Sequence, residues 1–187
     1  EKETSCNVKL KQGINVEDRV KLSRLHNRII PSACGSPTPY QYIGKTPHVN
    51  SNLKVKAQVI FESVNQLNFK AVGFRKTGGL HVAAIYKADG SLVALAEDVG
   101  RHNAADKSIG MAALDKVVLS ECFLALSGRI SGDITFKAAK VGIPIIASIA
   151  AALSSGLDVA EKTNVTLVGF VRGKRLNIYT APERIIT

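Results

Sequence analysis

Apolar and polar positions along this chain follow two rhythms, one near 3.6 residues and one of 2. From Leu53 to Phe74 the residues Ala57, Ile60, Val64, Leu67, Ala71 and Phe74 recur at steps of three and four, which predicts one helix face. Thr77-Gly78-Gly79 closes that helix, glycine being the common residue past a helix end. Leu80–Tyr86 and Leu92–Ala96 flank Asp89-Gly90 and predict a hairpin. A helix is expected from about Ala104 to Lys116, with Ile109, Ala112 and Ala113 inward. Cys122–Leu126 reads as a buried strand, after which Ser131 can cap a helix whose Ile134, Ala138 and Val141 share a face. Gly142-Ile143-Pro144 stops it, and Ile145–Ile149 is another strand. A short helix through Ala160 follows, then strands at Thr166–Phe170 and Leu176–Thr180.

This alternation predicts an α/β fold, a partly parallel sheet between helices. Ligands of such sheets collect beyond the carboxyl ends of the strands. Three polar segments are expected to converge there: Glu97–Lys107, Ser127–Gly132 and Arg172–Arg175. In the first, Gly100 permits a sharp strand-to-helix turn, and Asn103 is a good N-cap with Asp106 as its capping-box partner. The stretch reads either as a capped helix entry with solvated charges or as a site where a strand hands over to a helix.

Residues 1–50 differ. Asn7–Leu10 and Val16–Leu22 read as short strands or as the edge of a missing N-terminal part, but Arg28 to Pro47 holds Pro31, Pro37, Pro39 and Pro47 with Gly35 and Gly44, which excludes a helix or central strand. A long loop over 28–47 is therefore expected, carrying Cys34 within Ser32-Ala33-Cys34-Gly35-Ser36. A thiol there is either incidental or an exposed group able to meet two partners in turn. Cys122 reads as an inert core thiol. The expected division is residues 1–52, a remnant of an N-terminal region plus this loop, and 53–187, an α/β domain.

Net charge is +10, from 25 basic and 15 acidic residues, a field that attracts phosphates. No dense Lys/Arg tract or nucleic-acid motif accompanies it, so RNA binding is a weaker alternative. Three scattered cysteines suit reduced thiols and a cytoplasmic location. The longest apolar run, Ile143–Leu153, is about half a membrane span. No signal-peptide pattern opens the chain, and the first residue, Glu1 in place of Met, suggests a trimmed or excised sequence.

Candidate chemistry gathers near the C-terminus. Arg172, Lys174 and Arg175 lie beside Phe170 and Tyr179, pairing phosphate donors with ring faces. Ser131 and the amides around Gly128 and Gly132 add a helix start able to hold an anion. Zinc-dependent deamination needs His-x-Glu and Pro-Cys-x-x-Cys, whereas His81-Val82-Ala83 and Ser127-Gly128-Arg129 stand here. Rossmann and P-loop signatures are also missing. His102 can act as a base or as a hydrogen-bonding residue.

Phe74–His81, Glu97–Lys107, Ser127-Gly128-Arg129 and Gly169–Arg175 together resemble the FdhD family of formate dehydrogenase accessory proteins. The resemblance implies a cytidine-deaminase-like three-layer α/β/α sandwich with a mixed sheet and no zinc site, its N-terminal region truncated here. It implies a cytoplasmic homodimer, a sulfurtransferase-like carrier that accepts sulfur as a cysteine persulfide from a cysteine desulfurase. That sulfur passes to the molybdenum bis-guanine-dinucleotide cofactor of formate dehydrogenase. By the same resemblance Cys34 is the persulfide carrier, Pro37 standing where the family has a second cysteine; one thiolate suffices to take up a persulfide. Phe170, Val171, Arg172, Gly173, Lys174 and Arg175 fall on the family's cofactor-binding run. Gly128, Arg129, Ser131, Arg101, His102, Asn103 and Lys107 are the remaining candidate contacts, with no metal ligand, membrane or nucleic-acid partner expected. A chaperone that binds the cofactor without moving sulfur is the alternative.

Overall fold

A computed structural model describes Asn15 and residues 46–187, and residues 46–187 belong to one compact unit. The strands expected before residue 46, the loop at 28–47 up to that point, Cys6 and Cys34 lie outside the described residues. The elements are β1 Val55–Lys56, α1 Ala57–Lys70, α2 Val72–Thr77, β2 His81–Lys87, β3 Leu92–Asp98, α3 Arg101–Leu114, β4 Cys122–Leu126, α4 Gly132–Lys140, β5 Ile145–Ser148, α5 Ser154–Thr163, β6 Thr166–Arg172, β7 Arg175–Ile178 and β8 Ile185–Ile186.

Six strands form one mixed sheet in the order β3-β2-β4-β5-β6-β7, and β1 pairs with β8 apart from it. β4, β5 and β6 run parallel, while β2 is antiparallel to β3 and β4, and β7 to β6. Side chains alternate between the two faces of a strand, and the core divides accordingly. Ala83, Ile85, Leu124, Leu126, Ile146 and Leu167 pack toward α3, α4 and α5. Val82, Ala84, Tyr86, Phe123, Ala125, Ile145, Ala147 and Val168 pack toward α1, against Ile60, Val64 and Leu67. Tyr86 and Phe123 stack with ring centroids 5.5 Å apart. The result is three layers, helices on both faces of a sheet whose strands β4 and β5 are wholly buried.

Residues just before β1 already belong to this body: Val49 is buried and its N–H donates to the Thr163 carbonyl. Three local expectations are corrected. The helix from 53 to 74 is two helices, because Ala71 is extended at φ −84° and ψ 107°. Ala113 is exposed, and Ala105 and Ser108 take inward positions beside Ile109 and Ala112. Val141 is exposed at the end of α4 rather than on its buried face.

α4 and α5 start side by side because two glycines let them. A Cβ on Gly132 would stand 2.9 Å from the Ser155 carbonyl oxygen, and one on Gly156 would stand 2.7 Å from that of Ile130. Gly156→Ala is expected to cost about 1–3 kcal/mol of stability by overpacking against backbone. Gly110→Ala, where an added Cβ meets nothing within 4 Å, is expected to stabilise α3 by up to about 1 kcal/mol. Urea unfolding of the two variants checks the opposite signs.

Candidate functional site

The carboxyl ends of the parallel strands meet around a single buried hydroxyl. Ser148 Oγ, at the end of β5, lies 2.7 Å from the Gly128 carbonyl and accepts the Ala150 N–H at 3.0 Å. The exits of β4 and β5 are therefore sewn together. Ile149 N–H donates to the Leu126 carbonyl, Ile130 N–H to that of Ala151, and Phe170 N–H, near the end of β6, to that of Ala150.

Gly128 sits where three elements touch. A Cβ there would come within 3.1 Å of the Arg101 side chain and 3.2 Å of His81 Nδ1. The start of α3, the start of β2 and the exit of β4 thus share one point. Burial, then Arg101, then Arg129, holds the His81 imidazole below its ordinary value. His102 is lowered chiefly by burial and Arg101, against Asp106.

On the far side, Gly169 and Arg172 bound an irregularity in the β6–β7 pairing. Phe170 has φ +52° there, a conformation that turns a non-glycine side chain out of the strand. It is 40% exposed, and the Arg172 guanidinium lies 5.6 Å from its ring centroid. Arg172 Nε donates to the Ile149 carbonyl at 3.2 Å, which ties the β6 end to the β5 exit, next to the Ser148 hydroxyl that bonds the Gly128 carbonyl. Val171 is buried in the core, so only its backbone can serve a ligand. Gly173 has φ +58° and turns the chain, exposing Lys174 and Arg175.

The Glu97–Lys107 stretch is organised by its acids. Asp98 Oδ1 accepts Gly100 N–H at 2.9 Å and Asn103 Nδ2 at 3.0 Å, and Oδ2 holds Lys107 Nζ at 2.6 Å. The expected cap is corrected: α3 begins after Gly100, Asn103 lies in its first turn, and the side chain serving the turn is Asp98. Gly100 has φ −96°, so its value is space, since a Cβ would stand 3.2 Å from Asn103 Nδ2. Glu97 spans to α2, its two oxygens accepting Phe74 N–H at 2.6 Å and Gly73 N–H at 2.9 Å. These are the amides freed by the break at Ala71, and the carboxylate satisfies them. Ser131 occupies the cap position of α4 but makes no cap bond, its fully buried Oγ having no partner. Arg129 is exposed.

The structure therefore brings Arg101, Gly128 and, through Ile149, Arg172 to one edge, while Asn103 and Lys107 are turned onto Asp98. Beside the Ile149 backbone it adds His81, Ser127 and Ser148, none of them among the candidate contacts although His81 and Ser127 lie in runs already singled out. Their polar types at strand ends are the signal that was available. Cys122, by contrast, is buried at the opposite ends of the strands, and burial raises its thiol pKa. Among the described residues no helix is long and apolar enough to cross a membrane.

Fold and edge together define a three-layer mixed α/β protein with Arg101 and Arg172 at the edge where its parallel strands end. The chain belongs to the FdhD/NarQ family, whose model matches residues 1–186. It is similar to the sulfur carrier protein FdhD of Methanothermobacter thermautotrophicus, 50% identical over 138 residues covering 74% of this chain and 55% of that protein. With FdhD of Saccharolobus solfataricus it is 41% identical over 182 residues, 94% of this chain and 70% of the relative. A crystal structure of a formate dehydrogenase accessory protein from Desulfotalea psychrophila superposes with a TM-score of 0.70 at 30% identity, covering 76% of this chain and 61% of that one. The chain thus spans little more than half the length of the first of these relatives.

Hydrogen bonds to Lys107, Gly100 and Asn103 pull the Asp98 carboxyl down to about 2 from 3.8. A group whose folded pKa is depressed contributes stability above its unfolded pKa and loses it as pH falls through the folded one. The contribution of Asp98 is therefore complete above about pH 4 and fades toward pH 2. Denaturant titrations of wild type and Asp98→Asn are expected to differ at pH 6 and to converge near pH 2.

Proposed function

We propose that this chain is the core of a sulfur carrier that serves formate dehydrogenase, taking sulfur as a persulfide and delivering it to a molybdenum bis-guanine-dinucleotide cofactor held as cargo. The observation that carries the reading is the position of Arg172. Its guanidinium stacks on Phe170 and is anchored on Ile149, at the edge shared with Arg101 and the Gly128 turn. Anchoring through Nε leaves the two terminal nitrogens for a phosphate, the fork that suits Arg to such groups. Lys174 and Arg175, exposed beyond Gly173, extend the cationic rim. Relatives carrying the name sulfur carrier protein supply the second support.

In this reading Cys34 attacks the terminal sulfur of a persulfide on a cysteine desulfurase. A new S–S bond forms at Cys34, the old one breaks, and the desulfurase cysteine leaves as thiolate, so no external oxidant is needed. The cargo's phosphates bind Arg172 and its neighbours, and a cytoplasmic homodimer is the working form. Cys122, buried and with a raised pKa, takes no part.

Incubation with a cysteine desulfurase and sulfur-labelled cysteine tests the carrier. Label is expected on wild type and on Cys122→Ala, and its full retention by Cys34→Ala would reject that cysteine. Arg172→Ala is expected to keep the label but weaken guanosine diphosphate binding by about 1.5–3 kcal/mol, roughly ten- to a hundredfold in Kd, measured by calorimetry.

A further inference from the structure

Among the described residues one charged side chain is buried, Arg184, which is 4% exposed. It lies at the amino ends of the parallel strands. Thr166 opens β6, and Ser51, another of its partners, donates to the Ser120 carbonyl just ahead of β4. β6 runs seven residues from Thr166 to Arg172, so at roughly 3.3 Å per residue this guanidinium stands about 20 Å from the Arg172 edge.

A guanidinium carries five N–H donors, and here three are used. Nε reaches the Ser51 carbonyl at 3.4 Å, and Nη1 reaches the Asn164 carbonyl at 2.9 Å and Thr166 Oγ1 at 3.2 Å. The two on Nη2 have no partner among the described residues, and Nη2 is not one of the buried atoms left orphaned. It therefore opens into the cavity that Arg184 lines, about 460 Å³ in volume, whose other walls include Asn52, Lys54, Asn164 and Glu183. That volume falls within the range of small-molecule pockets, roughly 300 to 1,000 Å³.

The charge is as incompletely met as the donors. A buried charge needs compensation, yet no carboxylate pairs with Arg184 among the described salt bridges. The end of α5 supplies part of it. Asn164 is the cap of that helix, and its carbonyl lies at the negative end of a helix dipole, worth about half a charge. Burial lowers the Arg184 pKa from its ordinary value, against a smaller upward pull from Glu183. Lys54 and Glu183 are exposed, so the cavity sets two cations against one acid. A singly charged anion balances that sum, whereas a dianion meets the Glu183 carboxylate with charge to spare.

We propose that this cavity binds a small organic monocarboxylate, its oxygens accepting the two Nη2 hydrogens of Arg184, with Lys54 nearby. The site stands at the other end of the sheet from the cargo edge and does not rest on the sulfur-carrier reading.

Propionate and sulfate, titrated separately into the isotope-labelled full chain and followed by nuclear magnetic resonance, test it. Propionate is expected to shift Asn52, Asn164 and Arg184 saturably and to leave Phe170 and Arg172 unmoved, with sulfate binding more weakly. Glu183→Gln is expected to tighten propionate about two- to fivefold and Lys54→Gln to weaken it by about as much, the scale of one exposed charge. Arg184→Met is expected to abolish saturation, and an unfolding curve reports whether its fold survives; where it does not, the two exposed variants decide. Shifts that never saturate, equal affinity in wild type and both exposed variants, or tighter binding of sulfate than of propionate would overturn the proposal. So would saturable binding by a folded Arg184→Met.

Discussion

The edge of this molecule depends on one hydroxyl in the interior. Ser148 is fully buried at the end of β5 and satisfies, through a single oxygen, the Gly128 carbonyl of one exit loop and the Ala150 amide of its own. A buried polar group left unpaired costs on the order of 1–3 kcal/mol, so three groups meeting on one atom hold one another in place. From that point the backbone bonds run outward: Ile149 to Leu126, Ile130 to Ala151, Phe170 to Ala150. Strand exits in a parallel sheet are the places where backbone donors and acceptors run out of ladder partners. Here they are spent on each other, with side chains joining in: Arg172 on the Ile149 carbonyl and Ser127 on the Val82 N–H.

Acidic and basic residues divide the labour at this edge. Asp98 and Glu97 are consumed by backbone amides and by Lys107 and Asn103. They act as internal ligands for the chain, one fixing the β3–α3 turn and the other holding the start of α2. Arg172, Arg129, Lys174 and Arg175 have no carboxylate on them among the described salt bridges. With both acids engaged by the chain itself, the field at this edge is set by its exposed cationic side chains.

The two carboxylates also connect this edge to the layer behind it. Glu97 belongs to β3 yet holds α2, and α2 leads through Gly78 and Gly79 to Leu80 and His81, which line a small cavity. Leu80 lies so close under Gly73 that a Cβ there would stand 2.7 Å from it. The position of the cavity wall is therefore inherited from a carboxylate on another element.

Much of the fold was legible in the chain itself. Period-two apolar runs located β2, β4 and β5, Asp89-Gly90 marked the hairpin, and Gly142-Ile143-Pro144 marked the end of α4, because these signals are local steric and burial preferences. The net positive charge and the Phe170–Arg175 run could also be read without any geometry. Ala71 was misread because the break there is stabilised by Glu97, which lies far along the chain and leaves no mark on the helical period. Asn103 and Lys107 looked like ligand contacts by type, and only folding showed Asp98 within reach of both. Ser148 was beyond reach for the same reason, and His81 and Ser127, though within runs already singled out, could not be seen to meet. Local preferences along the chain determined which elements form, whereas contacts between strand ends and helix starts, remote in sequence, decided which polar groups are spent inside the chain.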